Sequence, residues 1–431
     1  MTAQQAEQCD VAVIGAGPGG STAAALLSRR GYRVIVLEKA HHPRFHIGES
    51  LLPMNLPVFE RLGVLDKVHA MGVFKAGADF EADNERGYNV FSFGRALGGS
   101  PPHSYQVWRQ DFDQMLCEHA RECGADVREG QQVMAVEQRG PRQAQIEVQA
   151  DDGACYAIEA RYLVDASGRD AFLSTKHKLK RRNRRHQSAA LFSRFRHAAR
   201  RSGEDAGNVS IYRFEHGWMW MIPLPDGSMS VGAVCWPEYL KQRHGDTRAF
   251  LLDTLRQNAA LWERLQGAEL IDEVRAAGNY SYDSREMAGP GWILVGDAFA
   301  FLDPVFSSGV FLAMDAAERA ADVIDGALRE PKREAALQRA LEKRLRLGMA
   351  RFAFFIHRFN EPVMRRMFAA PRNGWQLEQG VISMLAGDLY DAPPVLRRLR
   401  LFKLVYAIMV LRHPRQWWHG HRHRLAQARA E

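Results

Sequence analysis

Apolar residues cluster at 11–14 (VAVI), give way to a glycine-rich turn, and return at 34–37 (VIVL) after a small-residue stretch over 21–29 with helical character. Continuous apolar runs of this length are buried on both faces, as parallel strands are, so the three pieces predict one βαβ unit. A similar run at 292–295 (WILV) leads through a turn to a helix predicted over 314–328. Between them, residues 217–223 (GWMWMIP) alternate with the period of two that a strand requires. Beyond Pro331 the pattern turns helical and rich in Arg and Leu. Its longest apolar run, 404–411 (LVYAIMVL), is far below the ~20 residues that span a bilayer, and reads as a buried or surface-docking helix. Proline breaks at 101–102, 331 and 393–394 separate the regions, and no internal repeat is visible.

These patterns predict an α/β fold. A Rossmann-type nucleotide-binding domain is assembled from residues 8–75, 104–172 and 275–330, a substrate-side β-sheet is inserted as 76–103 and 173–274, and 331–431 form a C-terminal helical region. A chain of 431 residues is long enough for these two or three packed regions, and 46% hydrophobic with 25% charged residues excludes a disordered or fibrous protein. The five cysteines are an odd set without a CxxC pair, so neither a disulfide framework nor a zinc site is expected. The polar start shows no secretory leader, and a reducing cytoplasm is the expected compartment.

The net charge of +8 is concentrated at 176–185 (KHKLKRRNRR) and in the tail from Arg397. It fits an acidic partner, although a solvated basic face explains it as well, and no nucleic-acid motif accompanies it. The tail ends in Trp417 and Trp418 with His419, His421 and His423 near His413. With no carboxylate or cysteine partner in so basic a setting, a metal is not expected there. A substrate lid or a peripheral contact with an anionic membrane suits basic and aromatic side chains better.

The chemistry starts at GAGPGG, where Gly15, Gly17 and Gly20 follow the first strand. The glycines permit a tight turn and close approach of the backbone to a pyrophosphate, and the helix behind them offers unpaired N–H groups and a positive dipole end. Glu38 ends the second strand, where a carboxylate accepts the ribose hydroxyls of an adenosine and disfavours a 2′-phosphate. Alone, GxGxxG is a common glycine turn; the strand, helix and acid together make it a dinucleotide site. Far downstream, the apolar strand at 292–295 ends in Gly296-Asp297, an acid able to hydrogen-bond a ribityl hydroxyl, which favours FAD over NAD.

The ordered set GxGxxG, Arg109-x-x-Phe112-Asp113, Asp165-Ala166-Ser167-Gly168 and Gly296-Asp297 resembles the p-hydroxybenzoate-hydroxylase-type flavoprotein fold over residues up to about 330. The resemblance implies non-covalent FAD, held through Gly15, Gly17, Gly20, Ser21, Glu38, Arg109, Gly296 and Asp297. Three further motifs are similar to those of flavin-dependent halogenases. GWMWMIP matches the WxWxIP signature, in which Trp218 and Trp220, bulky and rigid, wall the flavin off from the organic substrate; the plain alternative is a buried strand with alternating aromatics. Lys75 follows Gly48-Glu49-Ser50, an arrangement in which GES, with Ser50, touches the cofactor and the later, catalytic lysine points into a tunnel, although a lone lysine is ordinarily a solvated residue. Desolvation would favour its neutral amine, as general acid or nucleophile. The third motif, Asp303-Pro304-Val305-Phe306-Ser307-Ser308-Gly309-Val310, opens a helix; the resemblance implies that the N–H groups of Ser308 and Gly309 hold a halide and that Val310 lies against the flavin. A proline turn before an N-cap serine satisfies the same residues.

The resemblance therefore implies a halogenase that uses reduced FAD from a separate flavin reductase, molecular oxygen, and chloride or bromide to make hypohalous acid. Lys75 receives that oxidant as a haloamine or a hydrogen-bonded acid and delivers it to an electron-rich aromatic substrate. Free-tryptophan halogenases carry a glutamate where this chain has Phe306, which points to phenols, pyrroles or aryl groups on an acidic carrier protein. Two alternatives stay open: a hydroxylase or reductase of the same fold, and a non-enzymatic flavin-binding or carrier-docking protein.

Overall fold

The computed structural model describes residues 6–82, 87–243, 245–371 and 373–414, without the side chains at 184–186 and 279–280. The predicted βαβ unit appears as strand Glu7–Ile14, helix Pro18–Arg29 and strand Val34–Leu37. The helix starts three residues earlier than its small-residue pattern suggested, because Pro18, with no N–H to lose, suits a first helical position. The two strands pair in parallel, Val11 opposite Val34 and Ile14 opposite Leu37. They sit in a sheet ordered Ala288–Gly289, Trp292–Leu294, Cys155–Asp165, Glu7–Ile14, Val34–Leu37 and Asp126–Arg128. A hairpin, Gln131–Gly140 and Gln143–Ala150, continues it antiparallel from Cys155–Asp165. Parallel strands need cover on both faces, and helices Pro18–Arg29, Arg109–Glu122 and Gly309–Arg329 contribute to one core with them.

A second sheet is ordered Ala300–Phe301, Arg275–Ser284, Lys180–Arg196, Met229–Cys235, Gly217–Pro223, Val209–Phe214, Gly77–Glu81 and Tyr88–Ser92. Its central strand Gly217–Pro223 is buried throughout, and its two faces feed different cores. Trp218, Trp220 and Ile222 pack with the C-terminal aromatics Phe352, Phe355, Phe359 and Phe368, whereas Met219 and Met221 pack on the opposite side with Leu251, Leu255 and Leu261. The alternation in the sequence is thus the two-sided burial of one strand. Val73–Lys75 pairs with Ser104–Gln106 in a separate two-stranded ribbon.

The C-terminal region is helical at Glu334–Ile356, Pro362–Ala369, Leu377–Leu385 and Pro393–Arg412. The last helix buries Val395, Leu399, Phe402 and Tyr406 and leaves Leu404, Ile408 and Leu411 exposed, so the apolar run at 404–411 lies on the surface with one face inward. No helix among the described residues is long and apolar enough to cross a membrane. Trp417, Trp418 and the three terminal histidines lie outside the described residues.

Candidate active site

A cavity of about 640 Å³ opens where the two sheets meet, and its wall draws on both. At one end lies the glycine turn. Gly15 has φ +97°, and a Cβ there would come within 2.6 Å of Ala166 O, so only glycine fits. Gly20 and Ser21 lie behind the turn: a Cβ on Gly20 would overlap Gly15 O, and Ser21 Oγ donates to Ala16 O at 2.9 Å. Gly17 differs, because a Cβ there would meet nothing nearer than Arg44 Nη2 at 3.8 Å. The space it leaves is the cavity, which Gly15, Gly17, Pro18 and Gly19 line. Gly17 caps the helix without any side-chain bond, so the helix end is open to an anion. Glu38 is buried, accepting the N–H groups of Ala16 at 2.8 Å and Ala40 at 3.0 Å, with Arg44 3.6 Å away. Its acid is therefore aimed by the turn it serves.

At the other end, the loop through residues 46–50 is pinned by Arg109. The guanidinium forms a two-pronged pair with Asp113, at 2.8 and 3.0 Å, and donates to Ile47 O at 2.9 Å. Gly48 faces it with φ +110°, where a Cβ would lie 2.9 Å from Arg109 Nη1. The Arg109 charge, aided by burial, pushes His46 down to about 4, so that imidazole stays neutral. Gly296 is left-handed at φ +59° and packs against Ala313 of the helix Gly309–Arg329. Asp297 beside it is half-buried on the cavity wall. Desolvation pushes its carboxyl up to about 6 against the opposing charges of Arg169 and Arg109. The Gly309–Arg329 helix begins at Ser308 with no side-chain cap and no acid in its first turn, and Gly309 and Val310 reach the cavity. Ser307 precedes it in the left-handed region at φ +55°, a strained setting for a residue with a Cβ.

Trp218 and Trp220 line the same cavity, their rings 5.7 Å apart and tilted by 48°. Lys75 does not reach it. The side chain is 1% exposed, and Nζ donates to Ser50 Oγ and to Leu51 O, both at 2.8 Å, 5.3 Å from the centre of the Phe93 ring. Burial alone pushes its ammonium down to about 7. Ser50 is the link, since it lines the cavity as well. Phe306, where free-tryptophan halogenases carry glutamate, is buried among Phe80, Phe359 and Phe368 at ring distances of 6.5, 5.6 and 6.1 Å.

The structure thus gathers Gly15, Gly17, Glu38, Ser50, Arg109, Trp218, Trp220, Gly296, Asp297, Gly309 and Val310 around one cavity, with Gly20, Ser21, Lys75 and Ser308 one layer behind. Sequence reasoning did not single out Arg44, Arg169 or Ser230, whose only signal is position in space. Away from the cavity, His42, Cys117 and Glu129 bring ligand atoms within 4.8 Å of one another. Glu129 is already engaged there by Arg121 at 2.6 Å and by two His42 nitrogens at 2.7 Å.

The donors present suit FAD. Two uncapped helix ends face one cavity, an acid stands at the adenosine end, a half-buried Asp297 stands at the other, and the volume falls within the roughly 300–1,000 Å³ of small-molecule sites. Residues 8–354 match the family described as FAD binding domain. The chain is 32% identical over 389 residues to a tryptophan 2-halogenase of Chondromyces crocatus, spanning 88% of this chain and 74% of that one. It is 27% identical to a 1H-pyrrole-2-carbonyl-(peptidyl-carrier protein) chlorinase of Pseudomonas fluorescens, with 95% of each chain covered. Among solved structures, the myxobacterial chondrochloren halogenase superposes with a TM-score of 0.77 at 35% identity, covering 81% of this chain and 82% of that one. The chain therefore belongs to the flavin-dependent halogenases, FAD-binding enzymes whose second cofactor is a halide ion.

Proposed function

We propose that this halogenase acts on an electron-rich phenol or pyrrole, free or tethered to an acidic carrier protein, and that Lys75 is its catalytic residue. The observation that carries the reading is Lys75 itself: a buried amine with two acceptors, pushed down to about 7. At neutral pH a large share of it is the neutral amine. Its two N–H bonds then point at Ser50 Oγ and Leu51 O, and the lone pair is left to meet an incoming oxidant. Forming a haloamine gives up one of those two hydrogen bonds, whereas hydrogen-bonding hypohalous acid gives up neither.

Bound reduced FAD, delivered by a separate reductase, supplies the two electrons that activate oxygen for halide oxidation. Gly17 leaves room for the pyrophosphate, Glu38 takes the adenosine ribose, and Asp297 takes the ribityl chain. The N–H groups at the start of the Gly309–Arg329 helix, at Ser308 and Gly309, hold the halide, favoured by the helix dipole and the absence of a first-turn acid. Trp218 and Trp220 keep the arene from the flavin by filling the space between them.

Phe306 supports the substrate class. A carboxylate there would assist a free indole, but the position is filled by a ring packed among three others. Relatives of this chain are named for tryptophan and for a carrier-bound pyrrole alike, so the substrate reading rests on Phe306 and not on them. Part of the basic run is internally engaged, with Arg181 paired to Asp283 and Lys176 Nζ donating to Val136 O, and the exposed Lys178 and Arg182 remain as the face offered to an acidic carrier.

The test is to incubate pure protein with reduced FAD, bromide and a panel of phenols, pyrroles, carrier-loaded aryl groups and free tryptophan. The bromine isotope pattern is then sought in the products. Bromination of a phenol or pyrrole member is expected; preferential bromination of free tryptophan, or oxygenation independent of halide, overturns the reading.

A further inference from the structure

A second cavity, of about 450 Å³, lies among the C-terminal helices and shares no lining residue with the flavin cavity. It rests against Phe91 and Phe368, two rings 5.5 Å apart, and Phe368 in turn stacks on Phe306. Its walls come from the strand Tyr88–Ser92 and from the helices Pro362–Ala369, Leu377–Leu385 and Pro393–Arg412.

Local geometry makes this space a groove. The end of the helix Pro362–Ala369 is held by the strand, since Asn89 Nδ2 donates to Phe368 O at 3.2 Å and to Ala369 O at 2.6 Å. The last two helices approach closely at Gly380, where a Cβ would lie 2.6 Å from Arg398 Cβ. Further along the last helix, Phe402, Val405 and Met409 recur at helical spacing and so share the face that lines the groove. At a rise of 1.5 Å per residue that face runs for about 10 Å.

Among the described residues, the lining carries two charged side chains, Arg366 and Glu378, and is otherwise apolar. The two are not equivalent. Glu378 is engaged by Arg95, whose Nη1 donates to it at 2.8 Å. Arg366 is exposed, and its guanidinium has no hydrogen bond or ion pair among the described residues. An apolar groove with one unopposed cation at its edge selects by chemistry. A chain of methylenes gains by leaving water for Phe368, Phe402 and Val405. A guanidinium grips a carboxylate through two parallel N–H bonds, whereas an alcohol gains little from it and a cationic head is repelled. The volume also falls within the roughly 300–1,000 Å³ of small-molecule sites.

We propose that this groove binds a medium-chain carboxylate, with the chain along Phe402, Val405 and Met409 and the carboxylate on Arg366. The site lies apart from the flavin cavity and does not rest on the roles of Lys75 or of the arene.

The test is calorimetric titration of the FAD-loaded protein with octanoate, octanol and octyltrimethylammonium. Octanoate is expected to saturate one site at concentrations up to about 1 mM and to bind at least about 5-fold more tightly than the other two. Arg366→Gln should remove that preference, weakening octanoate by about 5- to 20-fold while octanol is unchanged. Val405→Trp, which fills the groove, should abolish binding of both; if it does not fold, Met409→Trp, one turn further on, is read in the same way. The site is overturned if octanoate does not saturate, if Arg366→Gln keeps the preference for the carboxylate, or if a folded groove-filling variant binds octanoate as the wild type does. Leu404, Ile408 and Leu411 are exposed on the same helix. Sedimentation of the protein with phosphatidylglycerol vesicles in the absence of any octanoate binding would assign this surface to a membrane and overturn the groove as well.

Discussion

At its adenosine end the cavity is built largely around residues 14–44; at its other end it is lined by segments around 49, 218, 297 and 309, with Lys75, Phe93 and Phe306 packed behind that wall from the small ribbon and the aromatic cluster. The first end works through backbone. Its N–H groups, the absence of Cβ atoms and one acid hooked onto the turn need no distant partner. The second works through side chains that hold one another, Lys75 on Ser50 and Trp220 on Ser230, with Phe306 inside an aromatic cluster. A backbone site is intolerant at each position for steric reasons, whereas a side-chain site fails in degrees set by burial and charge.

The largest expected effect falls on the second end. Lys75→Met should lower halogenation by about 10²- to 10⁴-fold, the range for loss of a proton-transfer or nucleophilic group, while flavin binding is retained. Product yield and flavin content of the same preparation check both halves. In the wild type the halogenation rate should rise with pH through about 7, since burial holds the lysine there rather than at 10.5. The stability sign follows. With the folded pKa below the unfolded one, the cost of a buried charge is fully present below pH about 7 and fades as pH rises towards 10.5. Denaturant titrations across that window should show Lys75→Met without this rise.

Next comes Phe306→Glu. A carboxylate among Phe80, Phe359 and Phe368 should cost at least the roughly 3–5 kcal/mol of a Phe→Ala truncation, read from urea unfolding, and should not confer bromination of free tryptophan. A stable variant that gains tryptophan turnover would show that the substrate end is carboxylate-ready after all.

The backbone end predicts a contrast between two glycines of one motif. Gly15→Ala should destabilise the flavin-free protein by about 1–2 kcal/mol through its left-handed backbone alone, more with the clash against Ala166 O. Gly17→Ala should leave flavin-free stability within about 0.5 kcal/mol and weaken FAD binding, because its Cβ enters only the cavity. Thermal unfolding with and without FAD separates the two. The smallest effect is Trp220→Phe, about 0.5–1.5 kcal/mol for the lost bond to Ser230, measurable by the same denaturant titration.

What was readable along the chain follows the same division. Gly15, Gly17, Glu38 and the strand–turn–helix around them act within a short stretch, and the alternation at 217–223 announced a two-faced strand whose tryptophans share a side. One helix start lies earlier than its pattern suggests, at Pro18 instead of 21, since glycine and proline mask the first turn, whereas the 303–310 motif does open the helix at Gly309 behind Ser308. The aromatic cluster was not readable, because Phe359 and Phe368 come from helices whose pattern says that they bury something but not what. Ser230 was silent, as a serine in a strand carries no mark of its partner.

By itself, then, the chain determined the nucleotide turn, the acid that serves it and the membership of Trp218 and Trp220 on one face, because each depends on neighbours a few residues away or on a period of two. Only the tertiary structure decided that Lys75 is withdrawn from the cavity onto Ser50 and Leu51, that Phe306 is enclosed by rings from the C-terminal helices, and that Ser230 accepts the Trp220 indole N–H. Those outcomes depend on which surfaces are desolvated together, and desolvation is a property of the packed molecule.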